Sequence, residues 1–219
     1  MKITKYPQSC ILVNYKSKNI LIDPGAFVYQ QTDLKPEDWK NIDIILLTHE
    51  HFDHVDIDAI KIILKNNNPT ILTNRPVHNL LLDNSIKSIM MHPGDLKIVD
   101  GIHIKGEISE HGPLPNGKPA PEVIGFLIDD KIYHPGDTVY LVKKPYADVV
   151  FVPICGTVVM DAKQAARFVN DIQCKLAIPI HYSNPKYPTG ANEFERQMMK
   201  NTSVKYKVLA EKETIEVDE

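Results

Sequence analysis

The sequence has little cysteine: its 219 residues include three cysteines, Cys10, Cys155 and Cys174. An odd number of widely spaced cysteines fits neither a disulfide framework nor a zinc ribbon, because both need paired spacings. We therefore expect three reduced thiols. This pattern excludes the small domains that depend on disulfides or on cysteine-bound zinc.

Long apolar runs and an excess of positive charge are also missing. No uninterrupted apolar stretch approaches the roughly 20 residues that cross a bilayer. The N-terminal segment MKITKYPQSC lacks the apolar core of a secretory signal. These absences predict a cytoplasmic protein without a membrane partner. The formal net charge of -3 provides no overall attraction to nucleic acid, so nucleic-acid partners are disfavoured.

What is present is an ordinary globular composition, with 43% apolar and 24% charged residues. A chain of this length can bury one substantial hydrophobic core and is short for two independent ones. We therefore predict a single domain over residues 1–219. The number of subunits stays open, and a homo-oligomer is compatible with the composition.

Short runs rich in isoleucine, leucine and valine end in turn residues, which is typical of strands. These runs are CILVNY, NILIDPG, IDIILLTH, EVIGFLID, KIYHPGD, DVVFVPI and LAIPIH. Strands at both ends of the chain and early hairpin-like pairs argue against a purely alternating parallel sheet. The predicted fold is α+β, a four-layer αββα sandwich of two mixed sheets flanked by helices.

Helical periodicity appears between the predicted strands. Apolar residues recur at spacings of three and four in segments 57–64 and 162–169. The second segment follows Asp161, and Gln164 lies three residues later, which is the spacing of a capping box. Prolines and glycines in residues 112–122 predict a surface loop.

Three of the nine histidines lie within six residues, in the segment His49-Glu50-His51-Phe52-Asp53-His54. The preceding run IDIILLT predicts a buried strand, and residues i and i+2 of an extended segment project to the same side. His49 and His51 can therefore share one metal ion, while Asp53 and His54 reach a second position. Imidazole and carboxylate ligands suit zinc, manganese or iron.

Three further strand ends carry residue types that bind metals. His111 follows the run IHIKGEIS, Asp137 lies in the turn HPGD, and His181 closes the run LAIPI. Strand ends converge where strands share a sheet edge, which is where open sheets hold their sites. A structural histidine is the alternative for each residue taken alone, and their agreement with the first cluster favours metal binding.

Other polar residues have less defined roles. Three histidines are interpreted as structural: His78, His92 and His103. His134 lies three residues before Asp137 and could contact a ligand residue, while Tyr182 could bind substrate or pack.

Two lysines are candidate contacts for an anionic group such as phosphate, namely Lys186 in the turn-rich segment YSNPKYPTG and Lys118 in loop 112–122. Ordinary solvated lysines are the alternative. Loop 112–122 leaves directly from His111 and is expected to border the mouth of the site.

In these motifs the sequence resembles the metallo-β-lactamase superfamily, whose HxHxDH motif stands at residues 49–54. Asp23 resembles the first motif of that family, His111 the third, Asp137 the fourth and His181 the fifth. The segment from VVFVPICGT to AIPIHY is similar to the branch that contains ascorbate-6-phosphate lactonase-like and other metal-dependent hydrolases. Cys155-Gly156 stands where that branch commonly has two glycines.

The resemblance implies a binuclear site with two divalent ions, zinc being the first expectation and manganese or iron the alternatives. His49, His51 and His111 would hold one ion, and Asp53, His54 and His181 the other, with Asp137 between them. A metal-bound hydroxide would attack the substrate. Asp53 is the candidate catalytic residue, as a proton acceptor or relay. Asp23 would orient the ligand loop, and a structural aspartate is the alternative.

The function that follows is hydrolysis of a small ester, lactone or phosphate-containing metabolite. A phosphodiesterase or ribonuclease acting on nucleic acid is the alternative, although no basic cluster for a long polyanion is evident. A di-iron redox protein is a further alternative. The ligand pattern and the lack of a flavin-binding domain argue against it.

Overall fold

The computed structural model describes residues 1–182 and 190–218. It divides into two compact units. The first comprises Met1–Met91 with Leu209–Glu219, and the second comprises His92–Val208. Each unit is built on one seven-stranded sheet. That the whole chain acts as a single domain stays a prediction.

The first unit contains one mixed sheet and three α-helices. Its strands are β1 (Lys2–Lys5), β2 (Ile11–Tyr15), β3 (Lys18–Ile22), β4 (Ile44–Leu47), β5 (Thr70–Thr73), β6 (Ile89–Met90) and β14 (Thr214–Glu216). Its helices are α1 (Ala26–Gln31), α2 (Ile57–Asn66) and α3 (Arg75–Asp83), with a short 3-10 helix at Pro36–Asp38. The strand order is β14-β1-β2-β3-β4-β5-β6.

Strand direction brings several chain segments to one end of the first sheet. Strand β2 pairs antiparallel with β1 and with β3. Strands β3, β4, β5 and β6 are parallel to one another. Strands β1, β3 and β4 therefore all end at the same side, which we name the carboxyl end of the first sheet. All four residues of β4 are buried, as expected for a parallel strand covered on both faces.

The second unit contains the other mixed sheet and two α-helices. Its strands are β7 (Leu96–Val99), β8 (Ile102–Ile108), β9 (Ile124–Ile128), β10 (Ile132–His134), β11 (Val149–Pro153), β12 (Leu176–Ile180) and β13 (Lys205–Tyr206). Helices α4 (Ala162–Ile172) and α5 (Asn192–Asn201) belong to this unit. Strands β7 to β10 pair antiparallel, whereas β10 to β13 are parallel. The prediction of an α+β fold with two mixed sheets and flanking helices is confirmed.

Most predicted elements are present at the expected positions. All seven predicted strand runs contain strands, and both periodic segments are helices. The capping box is formed, since the Asp161 side chain accepts from the Gln164 backbone at 2.7 Å and the Gln164 side chain accepts from the Asp161 backbone at 3.0 Å. Residues 112–122 form neither strand nor helix, as predicted.

Two expectations drawn from what the sequence lacks can be compared with the structure. Cys10, Cys155 and Cys174 are buried and are not joined in a disulfide in this structure, and their reduced state stays a prediction. Among residues 1–182 and 190–218, no helix is long and apolar enough to span a bilayer.

The first prediction concerns the capping box of α4. Asp161→Ala removes the acceptor at the start of the helix and should lower the free energy of unfolding by about 1 kcal/mol. Lys163→Ala is the control, because Lys163 is an exposed residue of the same helical turn. Urea denaturation measures both variants. Equal stability of the two would contradict the capping role.

Lys5, the last residue of β1, is an unusual buried lysine with a side chain that is 2% exposed. Its ammonium group donates to the Tyr6 carbonyl at 3.2 Å. Burial lowers the pKa of Lys5 to about 8, although nearby Glu211 raises it in part. The folded state therefore releases this proton more readily than the unfolded chain.

The second prediction follows from this shifted pKa. An unfolded lysine has a pKa of about 10.4. Between about pH 8 and that value the unfolded state holds more of the proton, so stability rises with pH, by up to about 1.4 kcal/mol per pH unit. Lys5→Met should lack this rise, which unfolding titrations from pH 7 to pH 9.5 can measure. The same slope in both proteins would refute it.

Candidate metal centre

The chain leaves β4 directly into the histidine cluster of the first unit. Thr48 and His49 follow the strand and are fully buried. His49 Nε2 lies 3.1 Å from His51 Nδ1. The two side chains therefore lie on the same side of the chain, as the spacing of two residues in an extended segment predicts.

Asp53 and His54 lie in the turn between the cluster and α2. The backbone amides of His54 and Val55 both donate to the His51 carbonyl at 2.9 Å, which closes the turn. His54 Nε2 then lies 3.9 Å from Asp53 Oδ2. The turn ends where the Asp56 side chain caps α2 by accepting from Ala59.

Asp23 follows β3, and its side chain connects the end of β3 to the segment that follows β4. Its carboxylate accepts from the Thr48 amide at 2.8 Å and from the Thr48 hydroxyl at 2.7 Å. It also accepts from His54 Nδ1 at 2.8 Å. This bond places the proton of a neutral His54 on Nδ1 and leaves Nε2 as the lone-pair nitrogen, which is the state that binds a metal.

Gly25 explains how closely α1 approaches this turn. A Cβ at Gly25 would lie 2.0 Å from the Asp53 carbonyl carbon and 2.4 Å from the His54 amide nitrogen. The Ala26 amide also donates to the Phe52 carbonyl at 2.8 Å. The absence of a side chain at position 25 is therefore a condition for the position of the Asp53–His54 backbone.

In the second unit, three predicted residues form one buried cluster. Asp137 Oδ2 lies 3.0 Å from His181 Nε2 and 3.6 Å from His111 Nε2. His111 Nδ1 donates to the Gly112 carbonyl at 2.7 Å. This bond gives a neutral His111 its proton on Nδ1 and leaves Nε2 as the lone-pair nitrogen.

Hydrogen bonds between loops hold this second cluster. They run from Ser109 Oγ to the Pro135 carbonyl (2.6 Å), from the Val139 amide to the Glu110 carbonyl (2.8 Å) and from the Gly112 amide to the Val158 carbonyl (2.8 Å). His134 is buried, and its Nδ1 accepts from the Gly136 amide at 3.2 Å. His134 thus supports the turn that carries Asp137.

Cys155 contacts His181, which the sequence did not reveal. Strands β11 and β12 are parallel and pair Pro153 with Ile180, so the segments that follow them remain adjacent. Burial would raise the pKa of the Cys155 thiol, but the hydrogen bond and charge of His181 together with backbone hydrogen bonds from Val158 and Thr157 hold that pKa below its usual value.

The structure also places the residues that were interpreted as structural. His78 bonds Ser88 at 2.8 Å, and His103 is exposed and bonds Asp129 at 2.9 Å. The His92 side chain is exposed as well. The interpretation of these three histidines as structural is compatible with these positions.

The remaining sequence candidates contribute less. Tyr182 is half-buried and packs against the core of the second unit. Lys118 is exposed in loop 112–122. Lys186 lies outside the described residues.

The donor atoms of each unit have spacings suited to metal ligands. Two ligands that are each about 2.0–2.1 Å from one tetrahedral ion are about 3.3 Å apart. The pair formed by His49 and His51 is separated by 3.1 Å, and Asp137 lies 3.0 Å and 3.6 Å from its two histidines. The ligand atoms of Asp53 and His54 lie within 4.8 Å of each other.

Known proteins resemble this chain over most of its length. The family described as beta-lactamase superfamily domain matches residues 2–181. A UPF0173 metal-dependent hydrolase of Thermoplasma volcanium is 33% identical over 193 residues, which cover 84% of this chain and 84% of the relative. Its counterpart in Thermoplasma acidophilum is 34% identical over 193 residues, with the same coverage.

Solved structures show the same fold. A metallo hydrolase from Ignicoccus hospitalis has a TM-score of 0.79 at 22% identity and covers 99% of both chains. A metallo-beta-lactamase fold protein from Bacillus subtilis has a TM-score of 0.76 at 15% identity and covers 98% of this chain and 99% of that chain. Together with the family match and the relatives, these likenesses lead to one assignment. The chain belongs to the metallo-β-lactamase superfamily and is one of its metal-dependent hydrolases.

Proposed function

We propose that this hydrolase binds two divalent metal ions through its histidine and aspartate clusters and cleaves a small ester, lactone or phosphate-containing metabolite. The proposed ligands are His49, His51, Asp53, His54, His111, Asp137 and His181. His49, His51 and His111 would hold one ion. Asp53, His54 and His181 would hold the other, and Asp137 would bridge the two.

The observation that carries this proposal is the state in which the buried imidazoles are held. The Asp23 carboxylate accepts from His54 Nδ1, and the Gly112 carbonyl accepts from His111 Nδ1. Both rings therefore keep a lone pair on Nε2. A metal ligand needs such a lone pair, whereas a histidine in a solvated loop does not. The donor spacings of about 3 Å within each cluster support the same conclusion.

The donor chemistry favours zinc. Imidazole nitrogens and carboxylate oxygens are common zinc ligands, and manganese and iron are the alternatives. When bound, such ions lower the pKa of a coordinated water toward neutrality and stabilise the negative charge that develops on the substrate oxygen. The chain itself supplies the orientation of the ligands and a group that takes up the proton.

Asp53 is the proposed proton acceptor. It is 8% exposed, so its carboxylate is largely shielded but retains some access to solvent. It is held by a turn whose backbone is fixed by the His51 carbonyl and by Gly25. A carboxylate fixed in this way can receive a proton from the attacking water without moving its backbone.

The substrate is proposed to be a small molecule rather than nucleic acid or a membrane lipid. The net charge of -3 gives a long polyanion no general attraction. A hydrolysis screen tests whether the substrate is a small molecule. The protein is loaded separately with zinc, manganese and iron, and the substrates are lactones, esters, thioesters, phosphomonoesters and phosphodiesters, including RNA. Turnover of RNA alone would support the nuclease alternative, and no turnover of any substrate would refute the proposal.

The third prediction concerns Asp53. Asp53→Ala should lower kcat by at least about 100-fold, because a positioned proton acceptor contributes about that much to a rate. The fold should persist, since Asp53 lies in a turn outside the strands and helices. Steady-state kinetics, circular dichroism and elemental analysis of bound metal measure these effects. His103→Ala is the control and should match the wild type. Near-normal turnover of Asp53→Ala would contradict the proposed mechanism.

The fourth prediction concerns Gly25. Gly25→Ala must displace the Asp53–His54 backbone, because its methyl group has no room there. The variant should bind less metal and lose about 1–3 kcal/mol of unfolding free energy, as expected for overpacking. Gly190→Ala is the matched control, since a Cβ at Gly190 meets none of the described residues within 4 Å. Wild-type metal content in Gly25→Ala would show that the turn tolerates displacement.

A further inference from the structure

Gln8 lies in the tight turn that joins β1 to β2. The Tyr6 amide donates to the Cys10 carbonyl at 2.9 Å, and the Cys10 amide donates to the Pro7 carbonyl at 3.2 Å. These bonds close the turn around Gln8. The turn lies at the carboxyl end of the first sheet, because β1 ends there.

The same end of the sheet carries the histidine cluster of the first unit. Strands β2 and β3 pair Ile11 with Ile22, so Cys10 and Asp23 are the next residues at this end. Burial raises the pKa of the Cys10 thiol well above its usual value, and the nearby Asp23 carboxylate raises it further. The turn therefore lies beside Asp23, whose carboxylate bonds both Thr48 and His54.

Gln8 combines three features that a residue with a purely structural role rarely shows. Its side chain is 1% exposed. Neither Oε1 nor Nε2 has a hydrogen-bond partner within the described part of the chain. Its φ of 57° lies in the left-handed region, which glycine adopts without strain and glutamine does not.

Each of these features makes glutamine a poor structural choice at position 8. Buried amides are normally hydrogen-bonded, so an apolar side chain would be better here if the role were packing. Glycine would suit the backbone better if the role were turn formation. Strained backbone and unsatisfied polar groups concentrate at functional sites, where a ligand uses them.

We propose that Gln8 is a substrate-binding residue whose Nε2 donates a hydrogen bond to the oxygen of the reacting carbonyl or phosphoryl group. This inference rests on the hydrolytic function proposed above. A carboxamide suits the task because it remains a neutral donor at every working pH. Donors of this kind are effective when they are fixed and shielded from water before the negative charge develops on the oxygen.

Two substitutions separate the side-chain role from the backbone role. Gln8→Met keeps the length of the side chain but removes its donor and acceptor. Gln8→Gly removes the side chain and relieves the left-handed backbone. Both are compared with wild type for bound metal, urea denaturation, and kcat and KM on the best substrate of the screen. Calorimetric titration of the zinc-loaded proteins with inorganic phosphate and with acetate reports binding of an oxyanion without turnover.

The expected result is a loss of chemistry without a loss of structure. Both variants should bind as much metal as wild type, and kcat should fall about 100-fold or more, as for removal of one donor to a developing oxyanion. The anion bound by wild type should bind at least about 10-fold more weakly to both, which is about 1.4 kcal/mol. Stability should be unchanged or higher, most clearly for Gln8→Gly.

Several results would overturn the proposal. A Gln8→Met enzyme with kcat and anion affinity within threefold of wild type would refute it, as would lower stability with unchanged chemistry. If wild type hydrolyses nothing in the screen, the proposed function fails, and the anion titration still decides the role of Gln8. In that case the proposed role of Gln8 is refuted if all three proteins bind the anion equally, or if zinc-loaded wild type binds no anion.

Discussion

The candidate site of the first unit depends on the carboxylate of Asp23. One oxygen accepts from the Thr48 backbone amide, which joins the end of β4 to the end of β3. The other accepts from the Thr48 hydroxyl and from His54 Nδ1. A buried carboxylate with three donors is well compensated, whereas removal of the carboxylate would take the acceptor from the Thr48 amide and from His54 Nδ1. The same group therefore stabilises the strand ends and sets the tautomer of His54.

The second unit reaches a similar arrangement by different means. There the Gly112 backbone carbonyl, and not a carboxylate, accepts from His111 Nδ1. The turn that carries Asp137 is supported by His134 and by backbone bonds to the neighbouring loops. In both units an imidazole is oriented through the nitrogen that faces away from the cluster. This common feature favours a metal-binding role over a structural role for these buried rings.

Much of this organisation could be predicted because it depends on local patterns. The apolar runs predict the central strands, the spacing of Asp161 and Gln164 predicts the start of α4, and the density of ionisable groups at 49–54 predicts the cluster. The two-residue strands β6 and β13 could not be predicted, because such short elements exist only through their pairing with a neighbour. Helix α5 was also missed.

The contacts of the site were harder to predict than its residue types. Thr48, Gly25 and the contact between Cys155 and His181 depend on segments that are distant in sequence or on backbone approach. A threonine beside a histidine has many possible roles, and a glycine after a proline usually indicates only a turn. These residues become informative only when the neighbouring backbone is known.

Left-handed backbone by itself does not identify a functional position in this protein. Lys16 and Ser17 also have positive φ, but they are exposed residues of the β2–β3 hairpin, where such conformations are ordinary. Gln8, Asp23 and His181 differ because their side chains are buried at strand ends and carry polar groups. In a hairpin the strained residue closes a turn, and solvent satisfies its polar atoms. At a buried strand end the same backbone conformation directs a polar side chain toward a neighbouring residue or a ligand. Burial together with positive φ is therefore a more specific indication of a functional position than positive φ alone.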